Sequence, residues 1–535
     1  STTRYAAPRN ELEAALAEIW QQLLAVERVG IHDNFFKLGG HSLLAARVIS
    51  LIGKTLGAEL LIKDLFLYPT LLELAAHLRL QKKGLRLPPI TRETGPEHLP
   101  LSFSQERLWL TGQAQGSMPH PISRVLRLSG RLDKEALSAA LRQTINRHEV
   151  LRTVIRAKGD GYCQQVMPAD SWQMECIDAQ VYRPFDLSAD VLLRAQLIAV
   201  ADQEHLLILV LHPIAADEGS CDILLRELAI LYPALTILYP GDDPRAIDIL
   251  PPLPIQYADY ALWQRRRLAD GLFSPALDYW RNELAGVTSF ELPTDHARPA
   301  VRSVRGASLY LPLDPALLKA ARDLARSSGA TLFMTFLAAF KILLYRCSGE
   351  EDICVGTPVP GRQQPETEGL IGHFINILPL RSRVTADATF LSLLEEVKET
   401  TLKAYEHQDV PFEKPAEMGM NERDMPPAPI FRVLFGMQHG SRATEMRIGE
   451  LVLSDESSGD TLVNFNLTLT ISCGDNAPGC RIAYHTDLYK AETIRRLSSR
   501  YMRLLQSIIG APDRRIAALE DDEEAKVAPL ALSHE

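Results

Sequence analysis

The stretch HLLILVLHPIAADEGSCDILLRELAILYPAL (205–235) joins two different patterns of hydrophobicity. Residues 205–211 form a short apolar run, which is typical of a strand buried in a sheet. Residues 221–235 carry apolar side chains at helical spacing. A buried strand that leads through a short turn into a helix is a building unit of α/β folds. The stretch therefore predicts an α/β domain.

The turn between this strand and helix holds three side chains that can take part in chemistry. His212, Asp217 and Glu218 lie where such a turn forms the rim of an active site. Pro213, next to the histidine, can neither donate nor accept a proton. From these residues alone three interpretations remain open: a catalytic turn, the remains of one, and an ordinary strand-to-helix connection.

Strand-like and helix-like segments alternate from about residue 100 onward. The predicted strands are RVLRLSG (124–130), LLRAQLIAV (192–200), HLLILVLH (205–212) and ASLYLPL (307–313). The predicted helices are KEALSAALRQTINRH (134–148), PALLKAARDLARSSG (315–329) and TLFMTFLAAFKILLYRCSG (331–349). We expect the second and third of these strands to pair. Two successive α/β halves account for this order most economically.

The first 80 residues have a purely helical pattern. Apolar residues recur at helical spacing in 11–24, 42–56 and 69–81, which predicts a bundle of three or four helices. The residues that follow are rich in proline and charge, as linkers are. We predict a helical domain at 1–82, a linker at 83–98, α/β lobes at 99–270 and 271–515, and a C-terminal linker at 516–535.

Composition narrows the classes of function. The 535 residues carry a formal net charge of −10, which argues against nucleic acid as a partner. No apolar run approaches the roughly 18 residues of a membrane span. The seven cysteines are scattered without CxxC spacing, so we expect reduced thiols in a cytoplasmic protein and no metal site.

A second candidate site lies in DNFFKLGGHSLLAARVIS (33–50). Gly39 and Gly40 allow the chain to turn sharply before the predicted helix. Ser42 then falls at or near the start of that helix, where unpaired backbone amides favour an anion. The serine is either an ordinary helix cap or the attachment point of a phosphodiester. Spacing alone does not separate these two interpretations.

The same segment resembles the peptidyl carrier motif of nonribosomal peptide synthetases. The match includes the aspartate, the paired aromatic residues, both glycines, the histidine and the serine. It implies that a phosphopantetheinyl transferase attaches 4'-phosphopantetheine to Ser42, and that this arm tethers an aminoacyl or peptidyl thioester. The resemblance also implies an upstream adenylation domain and downstream carrier and adenylation modules as partners.

The rest of the chain resembles the condensation domains of the same synthetases. Six segments occur in the family's order: LSFSQERLWL (101–110), RHEVLRT (147–153), YADYALWQ (257–264), IGHFINILPLR (371–381), HQDVPFEK (407–414) and RDMPPAPIFRVLFG (423–436). The resemblance implies a multidomain fold, in which a four-helix carrier bundle precedes two chloramphenicol-acetyltransferase-like lobes arranged in a V. The active site is then expected in a tunnel between the lobes.

The family's motif His-His-x-x-x-Asp-Gly falls on the turn quoted first. His212 and Asp217 match it, whereas Pro213 replaces the second histidine and Glu218 replaces the glycine. In the family, the second histidine is assigned to orienting or deprotonating the attacking amine, and the aspartate faces an arginine. Arg362 is the expected arginine here. Glu218 is either a solvated turn residue or a replacement base, the latter particularly if it is buried.

Three functions follow from the altered motif. The domain has lost ordinary condensation and serves as a docking platform for a trans-acting tailoring enzyme, or it still condenses by positioning its substrates, or it is an inert spacer. Losing a general base costs about 10²–10⁴-fold in rate. Well-oriented reactants alone reach effective molarities of about 10⁵ M or more. Impaired condensation with a recruitment role is the favoured prediction, and an active domain is the main alternative.

Overall fold

The fold is described from a computed structural model of the chain. It describes residues 5–40, 42–58, 60–80, 89–93, 99–115, 121–159, 161–172, 183–237, 249–287, 290–299, 305–411, 430–438, 445–456, 465–474 and 478–520. Within these ranges the side chains of six helical residues are not described: Ser42, Leu43, Ala46, Thr111, Ala114 and Gln115.

Four helices form the N-terminal bundle. They are α1 (Glu11–Leu24), α2 (Ser42–Leu56), α3 (Ile62–Leu67) and α4 (Leu71–Leu80). The Asn10 side chain caps α1 by accepting a hydrogen bond from the Glu13 amide. Trp20 and Phe35 are fully buried between the helices, with their rings edge to face at 5.2 Å. Three of the four helices match the periodicity of the sequence, and α3, with six residues, is too short to show one.

The remaining chain alternates helices and strands as predicted. The helices are α5 (Phe103–Gln115), α6 (Lys134–Arg147), α7 (Glu218–Thr236), α8 (Tyr257–Ala269), α9 (Ser274–Glu283), α10 (Pro315–Ser327), α11 (Leu332–Ser348), α12 (Phe390–Glu406) and α13 (Ala491–Gly510). The strands are β1 (Leu99–Pro100), β2 (Ile122–Ser129), β3 (Thr153–Lys158), β4 (Gly161–Val166), β5 (Leu193–Ala201), β6 (Glu204–Leu211), β7 (Gly306–Pro312), β8 (Asp352–Val359), β9 (Asn376–Arg383), β10 (Val433–Gln438), β11 (Glu445–Ile448), β12 (Leu451–Asp455), β13 (Leu467–Ser472) and β14 (Gly479–His485).

Two large sheets organise these elements. The first has the order β11-β12-β2-β6-β5, and the second has the order β7-β14-β13-β10-β8-β9. A small third sheet, β1-β4-β3, accompanies the first. Strands β5 and β6 pair antiparallel, which confirms the pairing predicted from their sequences. Helix α11 is buried along most of its length, in keeping with its almost continuous apolar sequence.

The predicted division between lobes at residue 270 needs a correction. The hairpin β11–β12 comes from the second half of the chain, yet β12 pairs antiparallel with β2 in the first sheet. Leu451 and Leu453 of β12 are buried in the core of that first lobe. A strand that pairs with a partner more than 300 residues away leaves no local pattern, so the sequence did not reveal the exchange.

Both predicted linkers are partly packed. Ile90, within the predicted linker 83–98, is buried in the core of the first lobe. At the other end, Ile516 is fully buried, and Arg346 donates hydrogen bonds to the carbonyls of Ile516 and Leu519. The C-terminal linker therefore begins later than residue 516. The rest of both linkers lies outside the described residues, as do parts of the family segments HQDVPFEK (407–414) and RDMPPAPIFRVLFG (423–436).

In the described part of the chain, no single helix is long and apolar enough to cross a membrane. Helices α10 and α11 pass that test only together, as a pair bent by 103°.

Lys341 of α11 is a charged residue in an apolar core. Its side chain is fully buried, and its Nζ donates a hydrogen bond to the Ser382 hydroxyl at 2.6 Å. Burial lowers the pKa of Lys341 from 10.5 to about 8. The unfolded chain thus holds this proton more tightly than the folded protein does. The free energy of unfolding should therefore rise with pH between about 8 and 10.5, by about 3 kcal/mol in total.

Replacing this lysine tests the cost of its burial. We expect Lys341→Met to raise the free energy of unfolding at pH 7 by about 1–3 kcal/mol, because methionine fills a similar volume without a charge. The gain should vanish above pH 10.5. Urea unfolding at several pH values measures both effects. The exposed Lys319 provides the control, since Lys319→Met should change stability by less than about 0.5 kcal/mol. If the gain in the free energy of unfolding did not depend on pH, burial would not lower the pKa of Lys341.

Candidate active-site turn and carrier contact

The turn after β6 ends in a capped helix. Asp217 is the N-cap of α7, and its carboxylate accepts hydrogen bonds from the amide and the hydroxyl of Ser220, both at 2.8 Å. We call residues 212–217 the site turn. The cap explains why an aspartate stands here, since a carboxylate satisfies backbone amides that the helix leaves unpaired. It also fixes the direction in which the site turn leaves the sheet.

Arg362, from the second half of the chain, forms an ion pair with the same carboxylate. Its two terminal nitrogens donate to the two oxygens of Asp217 at 2.7 and 2.8 Å, and the Phe374 amide donates at 3.0 Å. We call this arrangement the Asp217 clamp. Burial alone raises the pKa of Asp217, but the charge and hydrogen bonds of Arg362 outweigh it and hold the pKa below its usual value. The carboxylate is therefore structural and stays ionised.

The backbone that carries Arg362 is shaped by a glycine. Gly361 has φ +65°, and a Cβ atom there would lie 1.9 Å from the Phe374 carbonyl oxygen. Only glycine allows this approach. As a result the Arg362 guanidinium lies 4.4 Å above the Phe374 ring centre, in a cation–π contact. The clamp is thus built from both ends of one segment, residues 361–374.

His212 is a buried, neutral histidine. Its Nδ1 accepts a hydrogen bond from the Ile214 amide at 3.1 Å, so Nε2 carries the ring hydrogen. Within the described residues Nε2 has no hydrogen-bond partner. Burial, together with the nearby His373 and Arg194, lowers the pKa of His212 to about 3. The imidazole is neutral at pH 7 and is a poor proton acceptor.

Pro213 and Glu218 take the two altered positions of the motif. Pro213 is partly buried in the site turn and brings no titratable group. The Glu218 carboxylate pairs with Arg124 of β2, whose side chain is only 9% exposed, whereas that of Glu218 is 56% exposed. Glu218 is therefore not the buried carboxylate that a replacement base requires. Instead it bridges the first turn of α7 to the first sheet.

A narrow cavity lies beside the Asp217 clamp. It is lined by Gly361 and Phe374 of the clamp segment, Tyr260 and Trp263 of α8, and Gln408, among others. Its volume is about 30 Å³, which is room for about two water molecules.

The part of the clamp segment that directly follows Arg362 contacts the helical bundle. Residues 363–368, which we call the docking segment, lie against α2, and the Ser50 hydroxyl donates to the Gln363 carbonyl. The ion pairs across this contact join Arg47 to Glu368, Lys54 to Glu366 and Lys63 to Glu406. These pairs are at least partly exposed, so each contributes little by itself and weakens with salt.

The glycine turn before α2 has the shape that the sequence predicted. Gly39 has φ +103°, and a Cβ atom on Gly40 would lie 2.4 Å from the Phe35 ring. Helix α2 begins at Ser42 and has no acidic residue in its first turn. The helix N-terminus therefore suits a phosphodiester, because its amides and dipole favour an anion that no neighbouring carboxylate repels. His41 and the Ser42 side chain lie outside the description.

Residues 96–527 match the family described as condensation domain, and residues 14–78 match the phosphopantetheine attachment site. The first match covers most of the chain. The chain belongs to the condensation-domain family. The N-terminal bundle is a carrier domain of the kind that holds 4'-phosphopantetheine on a serine, as the sequence predicted.

Curated relatives place this carrier and condensation-type domain within peptide synthetases. One subunit of the linear gramicidin synthase of Brevibacillus parabrevis is 40% identical over 543 residues, covering 97% of this chain and 10% of the relative. Malpibaldin synthetase of Mortierella alpina is 38% identical over 549 residues, covering 98% of this chain and 10% of the relative. The chain thus spans about a tenth of the length of these synthetases.

Solved structures share the fold of the condensation-type domain. The X-domain in the complex of the X-domain and OxyB from teicoplanin biosynthesis has a TM-score of 0.73 and 31% identity, covering 82% of this chain and 99% of that chain. SgcC5 of Streptomyces globisporus has a TM-score of 0.64 and 26% identity, covering 78% of this chain and all of that chain. The predicted multidomain architecture of a carrier bundle and an α/β condensation domain is confirmed.

Sequence reasoning brought His212, Asp217, Glu218 and Arg362 to one place but missed two neighbours. Arg124, the partner of Glu218, is 94 residues away in sequence. His373, whose ring meets the site turn, lies in the family segment IGHFINILPLR (371–381) and attracted no notice there. Its position in a segment that resembles the family was the only available signal.

Proposed function

We propose that the chain presents a carrier-bound acyl or peptidyl thioester to a condensation-type domain that is impaired in ordinary peptide-bond formation and acts as a docking platform. The partner is a trans-acting tailoring enzyme that works on the tethered chain. The observation that carries the proposal is the site turn, where Pro213 takes the place of the proton-handling histidine. The likeness to the X-domain of the OxyB complex supports the recruitment role.

The chemistry explains why the altered turn impairs condensation. An ammonium must lose a proton before it attacks the thioester carbon, and the tetrahedral oxyanion that forms must be stabilised. Pro213 offers no nitrogen for the proton, and it also lacks a backbone amide to donate. The Arg124–Glu218 pair bridges the start of α7 to β2, at the position where the family has a glycine.

The carrier half of the proposal assigns the attachment to Ser42. A phosphopantetheinyl transferase would join the arm to its hydroxyl, and an upstream adenylation domain would load the arm. The arm supplies a flexible thioester that moves between partners. The chain's own part is to hold the phosphodiester at the start of α2, and to dock α2 on residues 363–368.

A second function, continued condensation, rests on a different observation. The chain is 40% identical to the linear gramicidin synthase relative along nearly its full length. In that case the proximity of the two substrates would account for most of the rate of amide formation, since oriented reactants alone reach an effective molarity of about 10⁵ M. Downstream carrier and adenylation modules would supply the acceptor. The third interpretation, an inert spacer, predicts neither binding nor turnover.

Two assays separate these functions. The chain, loaded with a peptidyl arm, is mixed with oxygenases that act on carrier-bound peptides, and binding is measured by titration calorimetry. In parallel it receives an aminoacyl carrier, and amide formation is followed by mass spectrometry. Binding with slow or absent amide formation supports recruitment. Amide formation at the rate of histidine-bearing relatives would refute the impairment, and the absence of both would leave the spacer.

Restoring the histidine tests whether residue 213 limits the reaction. We expect Pro213→His to raise the rate of amide formation by about 10²-fold, because it supplies the missing proton acceptor. Pro213→Gln is the matched control, since it removes the ring constraint without adding a base. If the two variants react equally slowly, the obstacle is either the Arg124–Glu218 pair or a wider remodelling of the site, and Glu218→Gly tests the first of these.

A further inference from the structure

Two carboxylates of the condensation-type domain face lysines of the carrier bundle. Glu366 lies in the docking segment, and its Oε1 lies 3.9 Å from the Lys54 Nζ of α2. Glu406 is the last residue of α12, and its Oε1 lies 3.9 Å from the Lys63 Nζ of α3. We call these two glutamates the covered carboxylates. Both ion pairs join the carrier to the domain that receives it.

The covered carboxylates are largely withdrawn from water, whereas their lysine partners are not. The side chains of Glu366 and Glu406 are 15% and 16% exposed, against 56% for Lys54 and 51% for Lys63. The Glu366 Oε2 is buried and accepts no hydrogen bond within the described residues. Burial raises the pKa of Glu406, and the charges of Lys63 and Lys403 oppose that rise. Each carboxylate thus carries a desolvation cost that nearby positive charge offsets.

The third ion pair of the contact is of a different kind. Arg47 and Glu368 have side chains that are 44% and 52% exposed, so water screens their attraction. Burial, followed by the positive charge of Arg226 on α7, lowers the pKa of Arg47. Arg47 therefore faces charges of both signs, and its pair distinguishes little between one carrier and another.

A covered carboxylate rejects a wrong partner more strongly than it attracts the right one. With a lysine opposite, the attraction is largely used to offset the lost hydration, so the net gain in affinity is small. With a neutral residue opposite, the carboxylate keeps its desolvation cost without compensation. With an acidic residue opposite, repulsion is added. The difference between carriers then comes mainly from the penalty on the wrong one.

We propose that the covered carboxylates select the carrier by charge: they accept a carrier with basic side chains at positions 54 and 63 and reject one with acidic side chains there. The inference rests on the proposed presentation of a carrier-bound substrate, and it names the class of carrier that can present it. Gln363, whose carbonyl accepts a hydrogen bond from Ser50 of the carrier, directly follows Arg362 of the clamp. An accepted carrier is therefore held beside the segment that fixes the site turn.

Carbodiimide cross-linking of the full chain tests whether the two ion pairs exist in solution. This reagent joins a carboxylate directly to a lysine amine when the two groups touch, and peptide mass spectrometry identifies the joined positions. We expect links between positions 54 and 366 and between positions 63 and 406. A chain that forms neither link would overturn the proposal, because the covered carboxylates would then face no carrier lysine.

Charge reversal tests the rejection. We expect Lys54→Glu together with Lys63→Glu to abolish the contact, because like charges then face each other across it. Small-angle X-ray scattering should give a larger radius of gyration than that of the unaltered chain. Glu366→Lys with Glu406→Lys should have the same effect from the other side, so the result does not depend on the folding of one variant.

Combining both reversals gives the sharpest result. The four substitutions together restore opposite charges, so we expect the compact form and both cross-links to return. Lys37→Glu with Arg79→Glu is the matched control, because it changes the charge of the carrier by the same amount at two exposed positions. This control should leave the radius of gyration and the cross-links unchanged.

Three further results would overturn the proposal: a compact chain after either double reversal, no recovery when the reversals are combined, or release of the carrier by the control. None of these measurements needs phosphopantetheine, turnover or a tailoring enzyme. Failure of the charge selection is therefore distinguished from failure of the proposed function, which is judged by amide formation and by binding of the tailoring enzyme.

Discussion

Ser42→Ala is expected to abolish attachment of 4'-phosphopantetheine completely, and with it every reaction of a tethered substrate. The hydroxyl at the start of α2 is the proposed nucleophile toward the transferred phosphate, and alanine offers no oxygen. Helix α2 should still form, because its apolar face packs Val48 and Ile52 into the core of the bundle. Intact-mass measurement after incubation with coenzyme A and a phosphopantetheinyl transferase gives the result directly.

The control for this experiment lies on the same helix. Ser50→Ala removes the hydroxyl that contacts the docking segment, yet it should be modified to the same extent as the unaltered chain. Circular dichroism should show the same helix content for both variants. If Ser42→Ala still gains the mass of the arm, or if Ser50→Ala does not, the attachment point is not Ser42 and the proposed presentation of substrate has no basis.

Removing Arg362 should destabilise the fold more than any other single change considered. Arg362→Gln leaves the fully buried Asp217 carboxylate without its counter-charge. Breaking one side of a buried ion pair costs about 3–5 kcal/mol. The loss should be visible in urea unfolding at pH 7. Because α7 is capped by this carboxylate, the amides of the first turn of α7 should also exchange hydrogen faster.

The pH dependence gives this prediction a sign. In the unaltered chain the pKa of Asp217 is lower folded than unfolded, so its stabilisation is present above the unfolded value of about 3.9 and is lost as pH falls through the folded value. Without Arg362, burial, the largest influence, raises the pKa against only the weaker effects of His373 and the Phe374 amide, so acidification from pH 7 toward 5 should recover stability. The unaltered chain should show no such recovery.

An exposed ion pair serves for comparison. Arg383 pairs with Glu351 at 3.0 Å, with side chains that are 76% and 46% exposed. Arg383→Gln should cost less than about 1 kcal/mol, since solvent screens the pair. Equal losses for Arg362→Gln and Arg383→Gln would show that the Asp217 clamp is not the buried, desolvated pair that the structure indicates.

Local patterns predicted the elements well, and the reasons are physical. Helices α1, α2 and α4 of the carrier and strands β5 and β6 are recognisable from hydrophobic patterns within about 10 to 20 residues. The Arg124–Glu218 pair and the contact of His373 with Ala216 join residues 94 and 157 positions apart. Such contacts depend on how sheets and loops are assembled, and one sequence does not encode them in any local pattern.

At the site turn, too, residue types could be read from the sequence, whereas contacts between distant residues could not. The residue types at 212, 213, 217 and 218 were enough to indicate an altered motif, because each position has a defined chemistry. The sequence could not predict whether the Glu218 side chain is buried, because its exposure depends on how β2 and α7 pack together. The interpretation of Glu218 as a replacement base loses support for this reason.

The hairpin β11–β12 has a practical consequence for anyone who recombines synthetase modules. A cut near residue 270 looks attractive, because it falls between two α/β repeats. The N-terminal fragment would then lack the strand that covers β2, leaving the backbone of β2 as an open edge. Such a fragment should aggregate or recruit a foreign strand. Grafts that respect this fold must carry the β2 and β12 strands from the same parent.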